Sequence, residues 1–351
     1  VHSGRALTVS TVEWSVAENI AIPTSVLEGF MWEKETEVDR FRERVPLSNL
    51  VSQWRLSTID PSKPGPRDWI GPIKEALNNN DFVIIPECKR MEPTTGSLRK
   101  RYNIPKLVKQ LTIARAPALS VNCDAILHGG KLDDITTARE ASDSAAVSQA
   151  SQNDTQEDDE DDDGGVMSLP IMASDLILYP YQLYKLRLAG ADAANLQVAA
   201  LEGKDLMYMT KIATSLQMQL VASVTSEIQI AKVTKLSPDN NSIRALVVSN
   251  RNMENFSFDE TGKQALQLLK SSAMEDFRSK HKDVIILVEG RVGIIEHESS
   301  SSSAEMSTGQ YMKELIKAGA SGAIVGSGLA LKKEDDGGAA LKAILMDIKD
   351  S

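Results

Sequence analysis

The feature that most constrains the fold of this chain is an alternation of short apolar runs with amphipathic segments, repeated eight times from residue 81 onward. The runs are continuous, as in Phe82-Val83-Ile84-Ile85, and such runs are typical of parallel strands buried on both faces. The segments between them place apolar residues at helical spacing. Eight strand–helix units in about 270 residues predict an α/β fold, a (β/α)8 barrel.

The periodicity assigns one strand and one helix to each unit. The predicted strands cover residues 82–85, 118–123, 168–172, 193–199, 219–224, 243–249, 284–289 and 322–325. The predicted helices cover residues 104–116, 131–140, 181–189, 205–216, 227–236, 261–281, 309–318 and 339–348. In a barrel of this kind the carboxyl ends of the strands meet at one face, which carries the functional side chains.

The rest of the chain divides into a flexible lead-in over residues 1–23 and a helical extension with its linker over residues 24–80, followed by the barrel at 81–351. Thr24 or Ser25 is predicted to cap the first helix of the extension, because both are good N-cap residues. The extension is predicted to contain helices over 24–45, 47–56 and 69–78, with a Pro-rich linker over 61–66.

Two low-complexity segments interrupt the barrel pattern. The first, residues 141–165, contains an unbroken acidic run over residues 157–163 and is expected to be disordered, because it has almost nothing to bury. It joins a helix to a strand, so we expect it at the N-terminal face and expect the barrel to fold without it. The second, the Ser-rich loop 297–308, joins a strand to a helix at the catalytic face. Each is either a tolerated insertion or a contact surface.

Composition argues against several classes of function. The net charge of −10 argues against nucleic acid as a partner. No apolar run approaches the ~18 residues that a transmembrane helix needs. The two cysteines, Cys88 and Cys123, fall in or beside predicted core strands and are expected there as reduced thiols. No motif in the chain predicts a cofactor or a metal ion.

The first predicted strand ends in a charged pair. Glu87 and Lys89 are two residues apart, so they point to the same side of the strand. Charged side chains at the carboxyl end of a buried parallel strand are typical of active sites in α/β folds. A salt bridge that stabilises the strand end explains the same pair equally well. These two residues are therefore candidates for a functional site, with a structural role as the alternative.

Several segments carry, in order, the motifs of one family. PECKRMEP is similar to a first-strand motif written Glu-Val-Lys-Arg/Lys-x-Ser-Pro, and VVSNRNMENFSFD to a sixth-strand motif written Ile-Asn-Asn-Arg-Asn-Leu-x-Thr-Phe. LPIMASDLILYPYQLYKLRLAGADAANL resembles the third strand and its helix, and LVEGRVGI and AIVGSGL resemble the ends of strands seven and eight. These motifs belong to indole-3-glycerol-phosphate synthases. LEGFMWEKETEVDRFRERVPL looks like the N-terminal extension of their plant and algal members.

The resemblance implies an enzyme that closes a ring in a phosphorylated anilino-ribulose, with loss of carbon dioxide and water and without a cofactor. The family uses a Lys general acid on strand three and a Glu general base on strand five. Glu87 and Lys89 match its first-strand pair. Glu289 matches its seventh-strand Glu, and Arg251 its sixth-strand Arg. Arg291 either adds a phosphate contact or blocks the site. The implied substrate- and phosphate-binding positions are Lys89, Arg251, Gly290, Gly326 and Ser327.

The same resemblance implies that the central catalytic positions are substituted. Ser174 stands where the family has the Lys acid, Ala222 where it has the Glu base, and Ser249 where it has the strand-six Asn. Neither a hydroxyl nor a methyl group can replace an ammonium or a carboxylate at neutral pH. Glu92 replaces a Ser and is expected to repel a phosphate, and Leu127 replaces an aromatic residue.

Three functions remain open at this point. The first is a non-catalytic structural or regulatory subunit, which a protein partner contacts through the acidic run or the N-terminal helices. The second is an active synthase of tryptophan biosynthesis whose acid has moved, for example to Lys185, Lys204 or Lys211. The third is a sensor of a phosphorylated small molecule. The plant-like extension and the first residue, Val1, lead us to expect a plastid protein, and otherwise a cytoplasmic one.

Overall fold

The computed structural model contains the predicted barrel. It describes residues 22–61, 65–80, 82–153, 166–237, 243–253, 255–259, 261–290, 292, 308–333 and 335–350. The strands are β1 (Val83–Cys88), β2 (Met91–Glu92), β3 (Gly96–Ser97), β4 (Leu119–Asn122), β5 (Ile171–Ser174), β6 (Ala193–Gln197), β7 (Gln219–Val224), β8 (Ile243–Ser249), β9 (Ile285–Glu289) and β10 (Gly322–Val325). Strands β1 and β4 to β10 close into a barrel in chain order, all with parallel pairing, while β2 and β3 form a separate antiparallel hairpin.

Helices follow the barrel strands and also precede the barrel. They are α1 (Val26–Arg44), α2 (Leu47–Ile59), α3 (Ile70–Asn79), α4 (Ile104–Ile113), α5 (Ala125–His128), α6 (Asp133–Asn153), α7 (Pro180–Leu188), α8 (Gly203–Ser215), α9 (Glu227–Thr234), α10 (Lys263–Leu269), α11 (Ser272–Lys280), α12 (Thr308–Lys317), α13 (Ser327–Lys332) and α14 (Gly337–Asp350). The α/β barrel fold and the helical extension are both confirmed.

Each barrel strand divides its side chains between two apolar layers. Successive side chains of a strand point to opposite faces, so alternate residues point into the barrel and out toward the helices. On β7, Val221 packs inward with Trp69 and Ile73, whereas Ala222 packs in the outer layer with apolar residues of the helices. This alternation decides which residue at each strand end is able to reach the mouth of the barrel.

Helix α3 closes the N-terminal end of the barrel. Trp69, just before this helix, is fully buried, and its Nε1 donates a hydrogen bond to the carbonyl of Leu119 at 3.2 Å. The side-chain oxygen of Gln219, at the start of β7, accepts from the backbone N–H groups of Trp69 and Ile70 at 2.9 and 3.0 Å. The first turn of α3 is thereby capped by the barrel itself.

An ion-pair network ties the linker and two helices to this closed end. Asp192, directly before β6, has no exposed surface, and it accepts hydrogen bonds from Arg67 Nε at 3.0 Å and Arg139 Nη1 at 3.2 Å. Arg187 Nη1 lies 3.9 Å from the same carboxylate. Arg67 also pairs with the partly exposed Asp143 at 3.2 Å. Burial lowers the pKa of Arg187 to about 10. Three guanidinium groups thus share one fully buried carboxylate.

The segment 141–165 was predicted to be disordered, but helix α6 extends into it. The helix expected over 131–140 runs on to Asn153, so the first half of the segment 141–165 is helical. Ser142 and Ala145 are buried there, and the Ser142 Oγ accepts a hydrogen bond from the backbone of Leu169 at 2.7 Å. Small side chains allow this part of α6 to pack closely. The helix was not predicted here because its buried face lacks the large apolar residues that mark an amphipathic helix. Residues 154–165, with the acidic run, lie outside the described residues.

Replacing Ser142 by alanine should lower the free energy of unfolding by about 1–3 kcal/mol, because the buried N–H of Leu169 would lose its acceptor. The matched control is Ser144→Ala, two residues along the same helix but exposed, which should change stability by less than about 0.5 kcal/mol. Urea denaturation followed by circular dichroism measures both. Equal midpoints for the two variants would show that this part of α6 contributes nothing to the packed structure.

Other boundaries differ more modestly. The single helix predicted over 261–281 is two helices, α10 and α11, because Ser271 breaks the first and caps the second by accepting from the N–H of Met274. The hairpin of β2 and β3 and the short helix α13 were not predicted. The lead-in before residue 22 and the Ser-rich loop up to residue 307 lie outside the described residues.

Helix α1 packs on the carboxyl end of the barrel. Ser25 caps it by accepting from the N–H of Glu28 at 3.1 Å, as predicted. The rings of Phe30 and Phe256 meet edge to face with centroids 5.2 Å apart, and the Arg42 guanidinium lies 4.5 Å from the ring centroid of Tyr179. The extension therefore forms one side of the barrel mouth.

Within the described residues, no helix combines the length and the apolar character that crossing a membrane requires. The same residues contain no group of three or more His, Cys, Asp or Glu side chains arranged to hold a metal ion.

Candidate active site at the barrel mouth

Side chains from seven of the eight barrel strand ends converge on a small cavity at the mouth of the barrel. About 60 Å³ of cavity lies between them, whereas pockets that hold drug-sized ligands have roughly 300–1,000 Å³. The lining residues are Glu87, Lys89, Asn122, His128, Ser174, Gln197, Arg251, Phe258, Glu289, Gly290, Val292, Ile324, Gly326, Ser327 and Gly328. Nearly all of the residues predicted from the sequence thus meet at one place, in a mouth that is already largely filled.

The carboxylate of Glu92 fills part of this mouth. Glu92 lies on β2 and is 1% exposed. Its oxygens are 2.7 Å from the Nζ of Lys89, in direct contact with the Nη2 of Arg251, and 3.3 Å from the Oγ of Ser327, which donates a hydrogen bond. Glu87 also pairs with Lys89, at 3.0 Å. We call Glu87, Lys89, Glu92 and Arg251 the mouth cluster.

The charges of the mouth cluster stabilise one another. Burial would raise the pKa of Glu92, but Lys89 and Arg251 lower it to about 2. Burial would also lower the pKa of Lys89, but Glu87 and Glu92 raise it above its usual value. Burial and the Lys89 ammonium hold the pKa of His128 well below its usual range, so its imidazole is neutral. The stability that Glu92 contributes is full above its unfolded pKa and is lost as pH falls toward 2.

The carboxylate of Glu289, at the end of β9, differs from that of Glu92 in the direction of its pKa shift. Burial, and after it the nearby Glu87, raise the pKa of Glu289 above its usual value, although Ser249 donates a hydrogen bond to it. The predicted position Ser249 therefore lies beside the mouth. The next residue, Asn250, points elsewhere, because its amide donates to the Tyr311 hydroxyl at 3.0 Å. A Glu whose pKa is raised by burial is suited to exchange a proton, and Glu289 is such a group.

Of the two predicted catalytic positions, Ser174 lies at the cavity and Ala222 does not. Ser174, at the end of β5, lines the cavity as predicted. Ala222 does not, because it is fully buried in the outer layer among the helices. The inward-facing neighbour on β7 is Ser223, which donates to the Asn195 side chain at 2.8 Å. Ala222 is thus corrected to Ser223 as the strand-five position that points into the barrel. A hydroxyl stands there instead of a carboxylate.

A buried lysine beside the mouth was missed from the sequence. Lys34 of α1 is 2% exposed, and its Nζ lies 2.8 Å from Asp175, 3.0 Å from Asp124 and 2.7 Å from Glu37. Burial would lower the pKa of Lys34, but the carboxylates of Asp175, Asp124 and Glu37 raise it above its usual value. Asp124 and Asp175 follow β4 and β5, so this contact joins the extension to two strand ends. We call Lys34, Asp124 and Asp175 the α1 anchor.

The lysines considered as relocated acids lie elsewhere. Lys185 is on α7, where its Nζ lies over the ring of Phe41 at 3.1 Å from the centroid. Lys204 and Lys211 are on α8 and are exposed. Lys34 does not line the cavity either: its partners Asp124 and Asp175 line a second small pocket beside it, which shares Asn122, His128 and Ser174 with the cavity. Among the described residues, no lysine other than Lys89 lines it.

Two glycines shape the side of the mouth where phosphate binding was implied. A Cβ on Gly326 would lie 2.5 Å from the Oε2 of Glu87, so a larger residue would displace the mouth cluster. Gly290 has φ +91°, in the left-handed region that favours glycine. Ser327 begins α13 and already contacts Glu92. Arg291 lies outside the described residues.

Several known proteins are similar in sequence to this chain. The family model described as indole-3-glycerol phosphate synthase matches residues 27–277. Curated relatives named indole-3-glycerol phosphate synthase include one from Rippkaea orientalis, 29% identical over 72% of this chain and 73% of the relative. One from Microcystis aeruginosa is 28% identical over 74% and 75%, and one from Trichodesmium erythraeum is 27% identical over 96% and 94%. This chain belongs to the indole-3-glycerol phosphate synthase family.

Proposed function

We propose that this chain is a non-catalytic member of its family, acting as a structural or regulatory barrel. One observation carries the proposal: where the resemblance implies an amine on strand three and a carboxylate on strand five, the inward-facing residues of this chain are Ser174 and Ser223, which carry hydroxyl groups. A serine hydroxyl does not exchange protons at neutral pH as those groups do. Loss of an acid and a base removes roughly 10²- to 10⁴-fold each.

The competing proposal is an active indole-3-glycerol phosphate synthase, which is the name that the relatives carry. It requires a general acid from another position in the chain. Lys34 lies beside the mouth, but Asp124 and Asp175 hold it as an ammonium and it does not line the cavity. Lys89 is held by two carboxylates. Glu289 is able to act as a base, yet a base without an acid supports at most a small part of the reaction. These contacts favour the non-catalytic function.

The test is direct incubation of the purified chain with the anilino-ribulose phosphate substrate. We expect no indole-glycerol fluorescence above that of an enzyme-free sample. Turnover within tenfold of an ordinary enzyme, whose median kcat is ~10 s⁻¹, would overturn the proposal. The Rippkaea orientalis relative, assayed in parallel, serves as the positive control.

A pair of double variants sharpens this test. Ser174→Lys with Ser223→Glu places an amine and a carboxylate on inward-facing positions, so a trace of activity should appear if the missing groups are the cause. Ser174→Lys with Ala222→Glu places the carboxylate in the apolar outer layer, where it should destabilise the barrel and restore nothing. Activity in the second variant would contradict the inward-facing assignment of Ser223.

A role by contact needs a partner, and its surface stays a prediction. The sequence supports the acidic run 157–163 or the helices of the extension as that surface. Attraction between exposed charges is screened within ~8–10 Å at physiological salt, so a complex that uses the run should weaken as salt rises. Residence in a plastid belongs to the same proposal, and the resemblance of the extension to plant and algal members supports it.

A further inference from the structure

We propose that Glu92 is a tethered ligand: its carboxylate occupies the oxyanion position of the barrel mouth and so excludes phosphorylated molecules. This inference deepens the proposed function, because it states what the site has become in a chain that does not turn over substrate. It concerns binding, which is measured separately from turnover. The sensor of a phosphorylated ligand, the third function left open by the sequence, is excluded by it.

The contacts of Glu92 are those that proteins use to bind an external oxyanion. An ammonium, a guanidinium and a hydroxyl converge on its two oxygens, from Lys89, Arg251 and Ser327. Charge-assisted hydrogen bonds of this kind are about twice as strong as neutral ones. The three donors come from residues after β1, after β8 and after β10, so the barrel gathers them at one point. At that point the side chain of Glu92 takes the place that an external oxyanion would occupy.

The two cations have little capacity left for a second anion. Arg251 donates through Nη1 to the carbonyl of Phe256 at 2.9 Å, and its guanidinium lies 4.1 Å from the ring centroid of Phe258. The remaining strong contact of Arg251 is with Glu92. Lys89 is shared between Glu87 and Glu92. A phosphate would have to displace Glu92, because neither Lys89 nor Arg251 has a free position at which a second anion could bind.

The charge of the surroundings opposes a phosphate as well. The titratable groups that face this point are Glu87, Lys89, Glu92, His128, Arg251 and Glu289. With His128 neutral, two cations face three carboxylates, so the site carries no surplus positive charge while Glu289 is ionised. The cavity of about 60 Å³ leaves no room for a sugar phosphate beside the tethered carboxylate. Geometry and charge thus point to the same exclusion.

Shortening Glu92 should expose the oxyanion position. In Glu92→Ser the carboxylate and one methylene group are gone, while Arg251 and Ser327 remain in place through their other contacts. The local balance then changes by one positive charge. Inorganic phosphate, which is small enough for the enlarged mouth, is the probe of choice.

The experiment is a titration of the full chain with inorganic phosphate by calorimetry, with thermal shift as a second readout. Wild type should show no saturable binding, whereas Glu92→Ser should bind phosphate with a Kd at least about tenfold below the lower limit that the wild-type titration sets, equivalent to about 1.4 kcal/mol. Adding Arg251→Leu to Glu92→Ser should abolish the gain. Glu87→Gln removes the other carboxylate of Lys89 and is the matched control, which should gain nothing because Glu92 stays in place.

Three results would overturn the inference. The first is saturable phosphate binding by wild type as tight as that of the variant. The second is a folded Glu92→Ser that binds no phosphate. The third is a gain that survives Arg251→Leu, which would place the phosphate elsewhere. If Glu92→Ser does not fold, Glu92→Asn replaces it, since its amide removes the charge and its side chain is shorter by one methylene group. Each outcome is independent of the synthase assay, which reports on Ser174 and Ser223.

Discussion

Replacing Lys34 by methionine should lower the free energy of unfolding by about 3–5 kcal/mol, because it removes one partner of a buried ion pair. The ammonium of Lys34 lies 2.8 Å from Asp175 and 3.0 Å from Asp124. Methionine matches the length of the side chain but leaves two buried carboxylates facing each other. The loss exceeds what a surface pair contributes, at most about 1 kcal/mol, since all three side chains of the α1 anchor are largely buried.

The matched control for this change is Lys185→Met. Lys185 belongs to the same interface, but its partner is the ring of Phe41 and it is half-buried, so the variant should lose about 1 kcal/mol or less. Chemical denaturation at neutral pH compares the two variants. Similar losses for both would show that Lys34 contributes packing and not charge.

The deficit of the Lys34 variant should also depend on pH. Burial, and after it Asp175, raise the pKa of Asp124 to about 6. Folded Asp124 thus holds its proton more tightly than unfolded Asp124, so its contribution to stability is full below its unfolded pKa and is lost as pH rises through about 6. Protonation relieves the repulsion between the two carboxylates, so the variant should lie closer to wild type at pH 5 than at pH 8. A deficit that is constant over this range would contradict the α1 anchor.

Asp192→Ala should destabilise the closed end of the barrel by at least about 3–5 kcal/mol, because three buried or half-buried guanidinium groups would lose their common partner. Asp192 accepts from Arg67, Arg139 and the backbone of Ile171, the last at 2.8 Å. Alanine leaves these donors without an acceptor and with uncompensated charge. The variant is expected to unfold at a markedly lower temperature.

Asp143→Ala is the control for this network. Asp143 pairs with Arg67 at 3.2 Å, but its side chain is 47% exposed, so water replaces the lost partner and the cost should stay near 1 kcal/mol or below. Scanning calorimetry distinguishes the two variants. If Asp143→Ala proves as harmful as Asp192→Ala, the buried carboxylate is not the centre of the network.

The barrel was predictable because its signal is local. Eight continuous apolar runs, each followed by a helical pattern, leave few alternatives to a parallel barrel, and the N-cap at Ser25 is visible in four consecutive residues. The end of α6 was not predictable in the same way, since Ser142 and Ala145 are small and polar or weakly apolar, and they are buried by what packs on them. The break at Ser271 is equally local but was hidden by helical periodicity on both sides.

The sequence predicted which residues meet at the site better than it predicted which way their side chains point. Glu87, Lys89, Glu289 and Arg251 meet at the mouth because strand ends of a parallel barrel share one face. The choice between Ala222 and Ser223 depends on which face of β7 is inward, and a continuous apolar strand carries no such mark. The alternation along a neighbouring strand, carried across in register, would have supplied it. The α1 anchor joins residues 141 positions apart, and no spacing rule reaches that far.

The α1 anchor also imposes an order in time on a chain made from its N-terminus. Lys34 leaves the ribosome 141 residues before Asp175, its partner at the end of β5. At a synthesis rate of ~5–20 residues per second, that interval lasts roughly 7–28 s. Asp124, the partner that follows β4, is made 90 residues after Lys34, so the counter-charges that make burial of the ammonium favourable arrive in two steps. The anchor of α1 is therefore complete only after β5, the third of the eight barrel strands, has been made.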